Sequence, residues 1–224
     1  MTDERDPSTE SAFAALGNEL RVSILRVLER AERETESRLT FSDLYDRIDI
    51  GSTSQLSYHL GQLDGVFVQK FGDNYGLTQA GEQVIRTVYA GTYTERPAFE
   101  TTPVEGTCPH CDSTELVAEF DDPFLTVSCR TCSETVATYD LPPAQAANRT
   151  PTEILQSCDR RVYHELGVAL DGTCPTCGGA MVASSRPRET PRSDEHAVVG
   201  ACRQCFNHVY APVELCVFYH PALV

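Results

Sequence analysis

Apolar side chains return every three or four positions along residues 11–34: Phe13, Leu16, Leu20, Ile24 and Leu28, with Val27 beside them. That period predicts one amphipathic helix over the whole stretch. A second, short helix follows, with Thr40 as its cap, Asp43 three residues on, and Leu44 and Ile48 as its buried positions. "DIGSTS" predicts a turn in which Gly51 can adopt a positive φ. A third helix is predicted over about 53–64. Leu56, Leu60 and Leu63 share one face, and Ser54, Gln55, Ser57, Tyr58, Gly61 and Gln62 lie elsewhere around it. "VFVQKFGDNYGLT" then predicts a β-hairpin turning at "GDN". "TQAGEQVIRTVYAG" predicts a closing helix with Val84, Ile85 and Val88 apolar.

Periodicity then lapses. Residues 93–106 combine prolines and threonines without a period and predict a linker. Between 107 and 142 three short runs, "ELVAEF", "FLTVSC" and "TVATYDL", predict strands. Residues 150–169 switch back to a helical period. Thr150, Pro151 and Glu153 supply a cap, a first-turn proline and a capping-box acid, and Ile154, Cys158, Val162 and Leu166 form the apolar stripe. Residues 172–218 form a second strand-rich unit, interrupted by "SSRPRETPRSDEH", whose composition predicts a mobile loop. Residues 1–10 are polar and acidic and predict a disordered start.

Eight of the ten cysteines change this picture, because they fall into four Cys-x-x-Cys pairs. "EGTCPHC" at 105–111 returns as "DGTCPTC" at 171–177, and each is followed by a second pair, "SCRTC" and "ACRQC". A tetrahedral zinc site needs four ligands, and two such turns facing each other supply four thiolates. Seventeen residues separate the pairs in the first unit and 24 in the second, and both units resemble zinc ribbons. Four pairs allow sequential, crossed or nested pairing. The repeated opening points to duplication and to sequential sites: Cys108, Cys111, Cys129 and Cys132 on one ion, Cys174, Cys177, Cys202 and Cys205 on the other. All-cysteine ligation leaves no open position, so two structural Zn2+ ions are expected. Cys158 and Cys216 are expected in the core, His110 as a solvated loop residue, and His59 as a partly buried histidine. His164, His196, His208 and His220 lack metal-ligand spacing. No phosphate-binding loop, nucleophile elbow or carboxylate pair is present, so catalysis is not expected.

The order helix, helix, turn, helix, hairpin, helix is that of a winged helix-turn-helix. "LGNELRVSILRVL", "LSYHLGQLDGVFV" and "YGLTQAG" resemble the ArsR-type winged-helix transcription regulators over residues 11–92. The resemblance implies a homodimer on a partly palindromic double-stranded DNA operator. It also implies DNA-facing roles for Ser54, Gln55, Ser57, Tyr58 and Gln62, with Lys70 and Asn74 on the wing. That family's sensing cysteines are missing, since no cysteine precedes Cys108.

The expected fold class is therefore α+β: an N-terminal winged helix-turn-helix, then two small zinc-ribbon units joined by a helix. The expected function is sequence-specific transcription regulation, with the zinc-stabilised ribbon region as an effector or protein-contact module. Charge qualifies this. Thirty-three acids face 18 bases, a net charge of −15, and Lys70 is the only lysine. Such a balance resembles proteins of halophilic archaea, whose concentrated salt screens carboxylate repulsion. Residues 1–95 hold 16 acids and nine bases, and the third helix has no arginine or lysine. An adaptor that uses a winged helix without DNA, and a redox- or metal-responsive zinc protein, stay open as alternatives. The polar start and the lack of a long apolar run predict a cytoplasmic protein without membrane contact.

Overall fold

The computed structural model describes residues 8–35, 37–187 and 196–217, and it falls into two compact units, Met1–Arg96 and Pro97–Val224. Its architecture is α+β, with three small antiparallel sheets.

The first unit opens with two helices where the periodicity predicts one: α1 (Thr9–Leu16) and α2 (Glu19–Thr35). The break is local chemistry. Gly17 ends α1, and the Asn18 side chain accepts from the Leu20 N–H at 3.0 Å to start α2. Ser8 caps α1, so the helix begins inside the segment expected to be disordered. A short strand β1 (Leu39–Thr40) leads into α3 (Phe41–Arg47), where Thr40 and Asp43 form the predicted capping box. Gly51 does not take a positive φ; instead Ser52 sits extended and its hydroxyl accepts from the Gln55 N–H. That cap starts α4 (Thr53–Leu63). The hairpin of β2 (Val68–Phe71) and β3 (Asn74–Leu77) turns through Gly72, whose φ is 64°. With β1 it makes a sheet of order β1-β3-β2.

The closing helix is α5 (Gln79–Tyr89). Its start is fixed by Thr78, which accepts from the Gly81 N–H while its own hydroxyl donates to the Val66 carbonyl at 2.6 Å. Helix α2 ties the unit together. Glu32 accepts from the Leu77 N–H at 3.1 Å, and Glu29 accepts from the Tyr89 hydroxyl at 2.8 Å. Ile24, Leu25 and Leu28 of α2, Leu44 of α3, and Leu56 and Leu63 of α4 are fully buried in one core with Val68 and Ile85.

The second unit contains two sheets. The stretch expected to be a linker holds β4 (Thr102–Val104), which adds an edge to β5 (Leu116–Asp121), β6 (Phe124–Cys129) and β7 (Thr135–Asp140) in the order β4-β5-β6-β7. A single turn, α6 (Pro143–Ala146), precedes α7 (Pro151–Leu170), whose Thr150–Glu153 capping box is present. Then β8 (Met181–Pro187), β9 (His196–Cys202) and β10 (His208–Pro212) pair in the order β10-β9-β8, followed by α8 (Val213–Val217). The expected loop is thus partly strand, paired through Ser184↔Val199 to Pro187↔His196; residues 188–195 lie outside the described residues. Cys216, expected in the core, is only half-buried, on α8. His220 lies outside the described residues.

Helix α7 serves both sheets. Ile154 and Cys158, in its first half, are buried in one cluster with Leu116, Ala118, Leu125 and Val127. Ala169, at its other end, is buried with Met181. Midway, Arg161 donates to the Asp140 carbonyl at 2.7 Å and pairs with its carboxylate at 2.9 Å. Among the described residues no helix is long and apolar enough to cross a membrane.

Two glycines separate packing from propensity. A methyl at Gly81 would run into the Phe67 carbonyl oxygen, whereas at Gly61, mid-helix in α4, it meets nothing within 4 Å. Gly81→Ala should lower the stability of the first unit by about 1–3 kcal/mol. Gly61→Ala should raise it by about 0.5–1 kcal/mol. Urea unfolding followed by helical circular dichroism reads both.

Candidate functional site

Each Cys-x-x-Cys pair builds the same turn. The N–H of its first cysteine donates to the carbonyl five residues on: Cys108 to Ser113 at 2.8 Å, Cys129 to Glu134 at 3.0 Å, Cys174 to Gly179 at 2.8 Å and Cys202 to Asn207 at 2.9 Å. The residue after each second cysteine lies in the left-handed region: Asp112 at 59°, Ser133 at 61°, Gly178 at 73° and Phe206 at 58°. This conformation reverses the chain and leaves two sulfurs aimed at one point. In each ribbon the second turn hooks to the first half through a backbone bond, Arg130 N–H to Glu115 at 2.8 Å and Arg203 N–H to Ala180 at 3.1 Å.

The sulfurs gather as the sequential pairing expects: Cys108, Cys111, Cys129 and Cys132 in one group, Cys174, Cys177, Cys202 and Cys205 in the other. Within each group the ligand atoms all lie within 4.8 Å of one another. The closest Sγ···Sγ approaches are 3.7 Å for Cys108–Cys132, Cys111–Cys129 and Cys174–Cys205, and 3.6 Å for Cys177–Cys202. These are far longer than a disulfide bond of about 2.05 Å. A tetrahedral ion with metal–sulfur bonds of about 2.3 Å sets sulfur–sulfur edges of about 3.8 Å, so the donor sets fit such an ion.

Part of each set is held toward the thiolate form that a metal takes, Cys129 in one and Cys174 and Cys202 in the other, while Cys111, Cys132 and Cys205 are pushed up. The Cys132 N–H, with that of Thr131, holds the Cys129 thiol down to about 6. In the other ribbon the Cys205 N–H is the chief cause holding Cys202 below the ordinary thiol range, and the N–H groups of Gln204 and Cys205 both lie 3.4 Å from its sulfur. Cys108, Cys129, Cys174 and Cys202 are buried, and they are members of the two hydrophobic clusters that hold α7. The metal centres are therefore continuous with the packing of the unit. His110 is half-buried rather than solvated, and its N–H donates to the Cys108 sulfur at 3.4 Å; it is not in the ligand group.

The first unit has a different kind of surface. Ser54, Gln55, Ser57, Tyr58 and Gln62 are all exposed along α4, Tyr58 by 61%, above the buried Leu56, Leu60 and Leu63. His59 is only 6% exposed and turns inward; burial, then the charge of Arg21, lowers its pKa. Lys70 is exposed on β2, with its Nζ 5.7 Å from the Tyr75 ring. Asn74 is half-buried in β3, opposite Phe71, and stands behind the hairpin tip rather than on it. The exposed α4 residues and the four-cysteine groups lie in separate units of the chain. The left-handed residue of each cysteine turn had one visible signal, Gly178; Asp112, Ser133 and Phe206 carried none.

A family model described as Domain of unknown function (DUF7351) matches residues 105–224. A second, Domain of unknown function (DUF7347), matches residues 9–88. No curated protein and no solved structure matches the chain.

Metal analysis of the purified chain should find two tetrahedral ions per molecule, and Cys129→Ser should retain one. Because binding of a structural ion of this kind contributes about 10–16 kcal/mol, strong chelation should unfold the second unit. Loss of the strand signal in circular dichroism on chelation checks this.

Proposed function

The chain belongs to the DUF7351 family, and we propose that it is a DNA-binding transcription regulator whose metal-stabilised second half is an interaction region. The observation that carries the reading is α4. It presents five short polar or aromatic hydrogen-bonding side chains on one exposed face and buries its leucines on the other. A helix of this kind, preceded by α3 and a tight connection and followed by a β-hairpin, suits a winged helix-turn-helix of the ArsR type. On this reading Gln55 addresses base edges in the major groove, with Ser54, Ser57, Tyr58 and Gln62 around it, and Lys70 on the hairpin meets a phosphate. A second copy bound through the helices at the unit's ends would read a partly palindromic operator. Zinc is the ion of choice for the four-cysteine groups, in a purely structural role, since four protein ligands leave no position for a substrate.

The charge balance fits a cytoplasm of high salt. In molar salt the release of counterions contributes little to any DNA complex, so binding rests on direct polar contacts. That offsets the absence of lysine and arginine from α4. The same absence favours a second reading, in which the α4 face contacts a protein and no DNA.

Selection from random duplexes at molar potassium chloride separates the two. The regulator reading expects a partly palindromic site to be enriched. Gln55→Ala and Tyr58→Ala should each weaken that site by about tenfold, the scale of one good base contact. Recovery of no sequence preference would sink the DNA reading.

A further inference from the structure

The two ribbons are built on one plan, and strand register shows where they diverge. Leu116 pairs with Cys129 as Met181 pairs with Cys202, and Ser128 pairs with Thr135 as Ala201 pairs with His208. One face of each sheet packs into the cluster that includes part of α7. On the opposite face the first ribbon carries Glu119, Asp121, Thr135 and Thr138, where the second carries Ser184, Arg186, His208 and Tyr210. Two acids have become a hydroxyl and a guanidinium, and two threonines have become rings.

The four substituted side chains are exposed. Tyr210 is 66% exposed and stacks on His208 with centroids 6.1 Å apart and planes at 22°. Between these rings and the exposed Val182, Ser184 and Arg186 on β8 runs β9, with the half-buried Ala197 and Ala201 and the buried Val199. The result is a shallow platform with small side chains along its middle. Just before β10 stands Phe206, 79% exposed in the left-handed conformation. Two of the other three turns put Asp or Gly there, residues that tolerate this backbone, and one puts Ser; a bulky side chain is the most strained of the four. A strained, exposed ring that packs with no core calls for an external partner.

Charge names the partner. Residues 107–142 hold seven acids and one base. Residues 172–212 hold three acids, Glu189, Asp194 and Glu195, against four arginines, Arg186, Arg188, Arg192 and Arg203, in a chain of net charge −15. The second ribbon is thus much the less acidic of the two, and a phosphate meets fewer carboxylates there than on the first. Exposed aromatic rings on a sheet, with an arginine on the other edge strand, are what unpaired bases stack on.

We propose that the β8–β9–β10 face binds single-stranded DNA, with bases stacking on Phe206 and Tyr210 and a phosphate paired with Arg186. The choice of DNA over RNA rests on reading the first unit as DNA-binding; the surface itself does not.

The test is fluorescence anisotropy of the full metal-loaded chain with a labelled oligothymidylate of about 12 nucleotides. The variant carrying Phe206→Ser, His208→Thr and Tyr210→Thr borrows residues the sister ribbon already holds, so the scaffold should keep both ions. It should bind about tenfold more weakly or worse. If it loses metal, Arg186→Asp on the exposed strand reads the same face through charge and should also weaken binding. Four results overturn the inference. These are no binding by the native chain, affinity unchanged in these variants, tighter binding of a matched oligouridylate, or variants that lose only a protein partner. A chain that selects duplex sites but ignores oligothymidylate refutes this inference alone; the reverse result refutes only the reading of the first unit.

Discussion

Tetrahedral closure of four thiols is the constraint on which the second half of the chain depends. Each ribbon has three or four short strands and too little apolar surface to close a core unaided. The turns answer this with a repeated backbone device, a five-residue hydrogen bond and a left-handed residue that together set two sulfurs at one spot. Because Cys108 and Cys129 sit in the same buried cluster as Ile154 and Cys158, ordering the sulfurs also orders the seat of α7. The metal centre and the hydrophobic core are one cooperative object here.

The first unit is organised differently, by helix α2 acting as a spine. Its Glu32 holds the hairpin strand by a backbone N–H, and its Glu29 holds α5 through Tyr89. The "YGLTQAG" segment has a structural explanation in full. Thr78 caps α5 and donates to Val66, and Gly81 lets the helix approach the Phe67 carbonyl. His59 and Leu60 of the "SYHL" segment are buried as well. The residues that make the chain resemble a regulator family are thus mostly those that build its scaffold. The residues that the scaffold leaves exposed lie between them, at Gln55, Tyr58 and Gln62.

This division explains what could be read from residues alone. Both capping boxes were visible, because a cap is chemistry between neighbours three positions apart. The grouping of the eight cysteines was visible because ligand spacing and duplication are properties of the chain itself. The break at Gly17–Asn18 was hidden by an apolar period that runs straight through it. β4 was hidden because its strand character comes from pairing with β5, and nothing local marks it. Gly51 misled because turns favour glycine, yet here Ser52 does the work with ordinary extended backbone. Phe206 had no signal: its conformation follows from its place after Cys205, which only the repeated turn geometry reveals.

Helix α7 lies between the ribbons in the chain as well as in their packing. During synthesis the chain emerges N-terminus first, at about 5–20 residues per second. The first four cysteines and the half-helix that covers them are therefore complete before Cys202 and Cys205 exist. The order of translation lets the first set capture an ion while its rivals are still unmade. Eight identical ligands that could otherwise be shared between wrong partners are sorted in time, and α7 closes one compartment before it opens the next.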